Sequence, residues 1–368
     1  MTKFRDTYIE DEKVLDDSGT VTIDIKIKDP ITALEILMSA ANGATSNQEN
    51  HLHDCVSKIE LVDGSDVLYS LSMVQGQALN FFEMGKEPIM NLTEFASDGA
   101  RESVMINFGR FFGDEAWAFD PTRFKNPQLK ITWNLAAIRA VGATGFVSGS
   151  GRLTIIAHIM EGATPPSGFL MSKEIYSWTT AASGDEKITM PTDYPYRLLL
   201  FRVYEAGMDM RENVSDLKLS GDQDKFIPFD HHMLRLMELN HTWFGKAHEH
   251  QKLYQAADRD LPIHINEITG LALTSESPGY ILSTRWAWSS QLHTEVRLHD
   301  GTTPTAMQEF HADIEGYGFH NTVAWKYGDL QIPEKWFDAP SYGAIDLYAT
   351  QANAGGAASV FVQQARKY

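Results

Sequence analysis

The residues best suited to chemistry in this chain are its 13 histidines, and ten of them fall between His231 and His320. They include His231-His232, His241 and the triplet His248-Glu249-His250. Imidazoles at this density could ligate a transition metal or switch protonation at an interface. Metal sites written locally in sequence repeat cysteine or acidic partners at ligand spacing, and none repeats here, so the run reads as an aromatic-rich loop region that contains histidine. His51-Leu52-His53 has the look of the first motif of a cupin metal site. The next glutamate is Glu60, too far along, and no Gly/Pro-flanked histidine answers it after the next strand, so this triplet also reads as loop. Asp63-Gly64 and Asp222 could face calcium, but aspartate and glycine in a hairpin are turn formers first. The stretch GFVSGSG (145–151) is glycine-rich yet sits between strands, not ahead of a helix where a phosphate cradle belongs. No GxSxG or CxxC pattern is present, and Cys55 is the only cysteine, so no intrachain disulfide can form. The reading therefore assigns no catalytic, cofactor-binding or metal-ligating residue and no cofactor.

Composition narrows the function classes. A formal charge of −18 opposes a surface that neutralises phosphates, and equally opposes adsorption of the whole protein to an anionic membrane. Hydrophobic residues make up 43% and charged residues 22% of the chain, which predicts a packed core. No window approaches the roughly 18 apolar residues of a membrane span, and the first residues lack the apolar core of a signal peptide. The clusters Phe81-Phe82, WAW (286–288) and Trp336-Phe337 read as core or subunit contacts.

The elements that would position any site are mostly strands. VTIDIKIK (21–28) alternates Val21, Ile23, Ile25 and Ile27 against polar residues, the period of a strand with one buried face. SKIELVDGSDVLYSL (57–71) and SDLKLSGDQDKFIPF (215–229) share one pattern: apolar alternation, a Gly/Asp turn, then a short apolar run. Each leads into a helical stretch, QGQALNFFEMGK (75–86) or MLRLMELNHTWFGK (233–246), that stops on Gly-Lys. DPITALEILMSAANG (29–43) has a cap and a Pro that suit a helix, but its counterpart YPYRLLLFRVYEAG (194–207) is branched and aromatic, so both are read as strands. Gly113-Asp114 and Gly328-Asp329 recur next, then a proline (Pro127 or Pro340) and closing strands. These landmarks keep their order, which predicts a tandem duplication. Gly85 precedes Gly113 by 28 residues and Gly245 precedes Gly328 by 83, so the second copy carries an insertion expected to project from the end of its barrel. Residues 1–20, with three basic and six acidic side chains, read as an arm outside the core, either a frayed solvated terminus or a segment that orders on a neighbour.

Short strands, Gly/Pro turns and one helix per copy predict an all-β fold with a few short helices, two tandem jelly-roll β-barrels of about eight strands each. The chain resembles the double-jelly-roll major capsid proteins of tailless icosahedral viruses, the lineage from membrane-containing bacteriophages to adenoviruses. The likeness lies in KIELVDGSDVLYSL (58–71) with its helix, the repeat of that unit, the proline-led final strands and the long second-copy insertion, across residues 20–364. It implies an N-terminal arm (1–20), a first jelly roll (21–161), a linker (162–172) and a second jelly roll (173–368) with a long inserted loop about 246–327. It further implies a non-enzymatic virion protein, folded in the host cytoplasm. Three chains would make a homotrimer whose six rolls form a pseudo-hexagonal capsomer. Its partners would be neighbouring capsomers, minor capsid and penton proteins, and a viral membrane reached by the arm, with no sequence-specific nucleic-acid binding. The competing expectations are a two-domain jelly-roll glycan-processing hydrolase, which needs convergent carboxylates in a cleft between the copies, and a receptor-binding or lectin-like spike.

Overall fold

One strand diagram is drawn twice in the structure, a computed structural model that describes residues 2–43, 51–91, 97–135, 145–255, 259–274, 280–288, 291–298 and 308–368. The first copy runs β1 (Lys3–Val14), β2 (Ser18–Asp24), β3 (Ile31–Ala41), α1 (Leu52–Cys55), β4 (Val56–Asp63), β5 (Asp66–Leu71), α2 (Met73–Met84), β6 (Met90–Asn91), β7 (Gly99–Asn107), β8 (Pro127–Asn134) and β9 (Arg152–Glu161). Its two sheets are ordered β1-β9-β3-β7-β6 and β2-β8-β4-β5. The second copy begins β10 (Gly168–Thr179), β11 (Gly184–Met190), β12 (Tyr196–Tyr204), α3 (Met210–Asn213), β13 (Val214–Gly221), β14 (Phe226–His232) and α4 (Met233–Phe244). An insertion follows, with β15 (Ala247–Gln255), β16 (Arg259–Pro262), β17 (Ile265–Thr274), β18 (Tyr280–Trp288), β19 (Gln291–Leu298) and β20 (Gln308–Phe319). The copy closes with β21 (Thr322–Lys326), β22 (Ile345–Gln351) and β23 (Ala357–Lys367), in sheets β10-β23-β12-β21 and β11-β22-β13-β14. Apart from the two-residue β6, each pairing of the first roll recurs in the second.

The duplication reaches down to individual hydrogen bonds. Asn80 on α2 donates from Nδ2 to Met105 O (2.6 Å) and accepts from Met105 N (2.8 Å) on β7. Asn240 on α4 does the same to Ala324 on β21, at 2.6 and 2.7 Å. Each helix is thus clamped across the same strand by one buried amide, whose donor and acceptor saturate both backbone groups. Likewise Ile31 and Phe119 exchange both backbone bonds (2.8 and 2.9 Å), as do Tyr196 and Phe337 (2.9 and 3.0 Å).

The two rolls share a wall. Leu198, Leu200 and Phe361 face the core of the first roll, while their neighbours Leu199, Phe201, Val360 and Val362 face that of the second. Strands buried on both faces lose the polar alternation, which is why RLLLFRV reads as a continuous apolar run. A short parallel pairing, Ser172 opposite Tyr69 and Lys173 opposite Ser70, joins β10 to β5 and makes one sheet run through both rolls.

Three expectations change. Residues expected to form an arm include β1, which pairs antiparallel along β9 from Lys3 opposite Glu161 to Val14 opposite Arg152. β1 occupies the place that β10 holds in the second roll; its charged side chains concealed this because an edge strand is held by its backbone and needs little burial. Second, β10 begins at Gly168, inside the stretch read as linker. Third, the insertion is not a loop. β15 and β17 flank β20 and extend the long sheet, and β16, β19 and β18 form a sheet of their own. Leu261, Ile263, Ile265, Ala312, Ile314 and Phe319 from it pack into the first roll's core, so it folds back onto that roll. At the tightest point a Cβ on Gly316 would lie 1.9 Å from Glu267 O, so only glycine fits.

β1 also carries a pH-sensitive contact. His158 on β9 places Nδ1 2.7 Å from Asp6 Oδ1 on β1 and Nε2 3.8 Å from Glu35 Oε2 on β3. The Glu35 carboxylate, joined by Asp6 and opposed by partial burial, raises the imidazole above its usual 6.5. A raised histidine stabilises the fold fully below about pH 6.5 and loses that contribution as pH rises through the higher folded value. Hydrogen exchange in β1 is expected to speed up between pH 6 and pH 8.5 beyond the intrinsic base-catalysed rise, and Asp6→Asn should flatten that excess. Equal excess in the two proteins would refute the assignment.

Candidate functional site

The structure gathers four histidines that are far apart in sequence. His51 and His53 bracket the start of α1, His264 lies between β16 and β17, and His320 forms the turn between β20 and β21. All four are buried. His51 stacks on His53 with centroids 5.2 Å apart; His264 stands edge-on to His51 (4.6 Å), His53 (4.8 Å) and His320 (5.1 Å). His320 and Asn321 both have positive φ (54° and 50°), a two-residue hairpin turn that normally favours Asn or Gly.

Two buried carboxylates and an amide hold the rings. His53 Nδ1 is 2.6 Å from Glu102 Oε2, His264 Nδ1 is 2.6 Å from Glu249 Oε1, and His320 Nε2 is 2.7 Å from Gln77 Oε1. Glu102 further accepts from Leu52 N (2.9 Å), and Glu249 accepts from His264 N (2.9 Å). Burial, reinforced by the neighbouring His264 and His53, lowers His51 to about 3. The same burial, with His53 and His264 beside it, pushes His320 well below its usual value. For His53 burial works against the charge, but the Glu102 and Asp54 carboxylates outweigh it and raise the ring. Burial would raise Glu102 and Glu249, yet the histidines they face hold both below the usual carboxylate range. A small cavity of about 80 Å³ opens beside the cluster, lined by His53, His264 and His320 together with Asp54, Arg202 and Tyr204.

Local spacing could not have found this constellation, because its rings come from three distant segments. The signal available was the His-x-His at 51–53 and the Glu249 inside His248-Glu249-His250, read as loop content. The remaining histidines scatter. His232 is exposed and pairs with Asp216, His241 stacks on Tyr317 (4.6 Å), and His250 Nδ1 meets Asp313 Oδ1 (2.7 Å). His299 and the side chains of His293 and of Trp286–Trp288 lie outside the described ones. Asp63 accepts from Lys125 N (3.1 Å) and Asn126 N (2.7 Å), and Asp222 from Gly343 N (2.8 Å) and Ala344 N (3.1 Å), so each carboxylate ties two loops together. Phe81 and Phe82 are core, and Trp336 stands edge-on to Trp117 with centroids 5.6 Å apart.

The repeated pairing diagram defines the class: the protein is a double jelly roll. Among solved structures it is similar to a chain of Sulfolobus Turreted Icosahedral Virus, at TM-score 0.60 and 10% identity, covering 98% of this chain and 90% of that one. It is similar to the major capsid protein P2 of bacteriophage PM2, at TM-score 0.55 and 9% identity, over 100% and 98% of the two chains. A chain of the PBCV-1 virus capsid matches at TM-score 0.59 and 9% identity, over 99% and 94%. At these identities the likeness is one of fold. No protein-family model and no curated protein matches the sequence.

Proposed function

We propose that the chain is the major capsid protein of an icosahedral virus, with a structural and not a catalytic role in the virion. One observation carries this reading: the two-barrel chain aligns over 98–100% of its length with chains of viral capsids. Two like barrels side by side give one chain two equivalent wedges, so three chains approximate a six-sided tile by closed threefold symmetry. Large apolar side chains stand in solvent at both rolls, among them Phe4, Phe111 and Phe112 on the first and Tyr176, Phe226 and Ile227 on the second. Lateral contacts within and between trimers would cover such residues. Because β1 is paired with β9, a contact with a viral membrane or a minor capsid or penton protein would use its exposed Phe4, Tyr8 and Val14.

The purified protein is expected to run at three times its 41.3 kDa chain mass and to show hexagonal outlines by negative-stain microscopy. A stable monomer that cleaves or tightly binds saccharides would overturn the reading.

A further inference from the structure

The cluster of buried rings has the construction of a metal centre. One ring nitrogen from each of His53, His264 and His320 lies within 4.8 Å of those of the other two, and all three residues are buried. In each ring the opposite nitrogen is already engaged, by Glu102, Glu249 and Gln77 respectively. That leaves Nε2 of His53, which lies 3.8 Å from Asp54 Oδ2 without a hydrogen bond, Nε2 of His264 and Nδ1 of His320 as donors. Ligating histidines characteristically give their second nitrogen to a carboxylate or another acceptor, which fixes the ring and strengthens the donor. Here two of three do so to carboxylates that are themselves buried.

A second observation points the same way. His51 Nε2 is buried without a hydrogen-bond partner, in a ring packed against both His53 and His264. An orphaned buried polar atom costs on the order of 1–3 kcal/mol, a cost that a bond to an ion would remove. Glu102 and Glu249 set two buried carboxylates behind the donor rings, which offsets the charge of a dication, while Arg202 on the cavity wall opposes it and binding would displace any proton held by His53. Cys55 takes no part, its Sγ directed to His51 O at 3.9 Å.

The geometry points to a histidine-ligated site for a divalent transition ion of the zinc class, formed by His53, His264 and His320 with His51 as the nearest fourth donor. Imidazole donors suit zinc, cobalt, nickel and copper and disfavour calcium or magnesium, which take oxygen. Closing around a zinc ion at roughly 2.0–2.1 Å from each nitrogen requires the rings to draw together by small rotations. The site is structural: it joins α1 of the first roll, the insertion, and the turn at which the chain re-enters the second roll.

The test strips the purified full-length protein with a strong chelator, loads it with Zn2+ or Co2+, desalts it and measures bound metal. Wild type is expected to retain about one equivalent and, with Co2+, to show the intense visible bands of a four-coordinate nitrogen site. Its thermal midpoint should fall on stripping and recover on loading. His264→Gln should bind at least tenfold more weakly, and Glu249→Gln, which only orients His264, about 10–100-fold more weakly. His250→Gln, in the exposed pair beside Asp313, should keep the metal. If His264→Gln does not fold, the wild-type stoichiometry and spectrum decide. Wild type left metal-free after loading overturns the site, as does metal that leaves with His250→Gln but stays in His264→Gln.

Discussion

Arg197→Ala is expected to cost about 3–5 kcal/mol in denaturant unfolding, because it strands a buried carboxylate. Arg197 on β12 has no exposed surface, and its Nη1 sits 3.7 Å from Glu83 Oε1 on α2. The guanidinium also donates to Gln363 Oε1 (2.6 Å), Leu330 O (3.0 Å) and Arg110 O (3.1 Å). It is thus the polar bolt between the first roll's helix and the wall of the second. Burial raises Glu83, and Arg197 is the main group that counters it, so in the variant Glu83 would be raised further and more stability would be lost as pH climbs from its ordinary value of 4.5 through the folded one. The double variant Arg197→Leu with Glu83→Gln should recover part of the loss, as neighbours that share one interaction are not additive. A loss under about 1 kcal/mol for Arg197→Ala would show that the pair is not coupled to folding.

The second large effect is expected at Phe361. Its ring is fully buried on the first roll's side of the wall, while Val360 and Val362 beside it serve the second roll's core. Phe361→Ala should cost about 3–5 kcal/mol, the range for a large aromatic whose cavity cannot collapse. Since β23 belongs to both cores, fluorescence probes placed in either roll should report the same shifted transition. Two separated transitions would mean that the wall does not couple the rolls.

Much of the architecture was legible before the fold was seen, and the reasons are specific. The Gly/Asp turns at 63–66 and 221–224, with the helix after each, recur because the second barrel needs the same hairpin and clamp. The clamp itself was there to be read: Leu79-Asn80 and Leu239-Asn240 both stand five residues ahead of Gly-Lys. The misplaced elements share one cause. β1 and β15 are polar strands held by backbone pairing to β9 and β20, and binary patterning cannot show a strand whose side chains bury little, as in β1, or whose buried positions are polar, as Glu249 and Gln251 are in β15. The histidine cluster was hidden for another reason: it is tertiary, and α1, the insertion and the β20–β21 turn meet only once the insertion has folded back over the first roll.

The shared wall has a consequence for biosynthesis. β23 is the last strand of its roll to leave the ribosome, yet Phe361 on it covers the barrel that was translated first. Until β23 emerges, the earlier barrel waits with an apolar flank open to water. A polypeptide broken off before about residue 357 lacks β23 and would leave both hydrophobic cores open on one side.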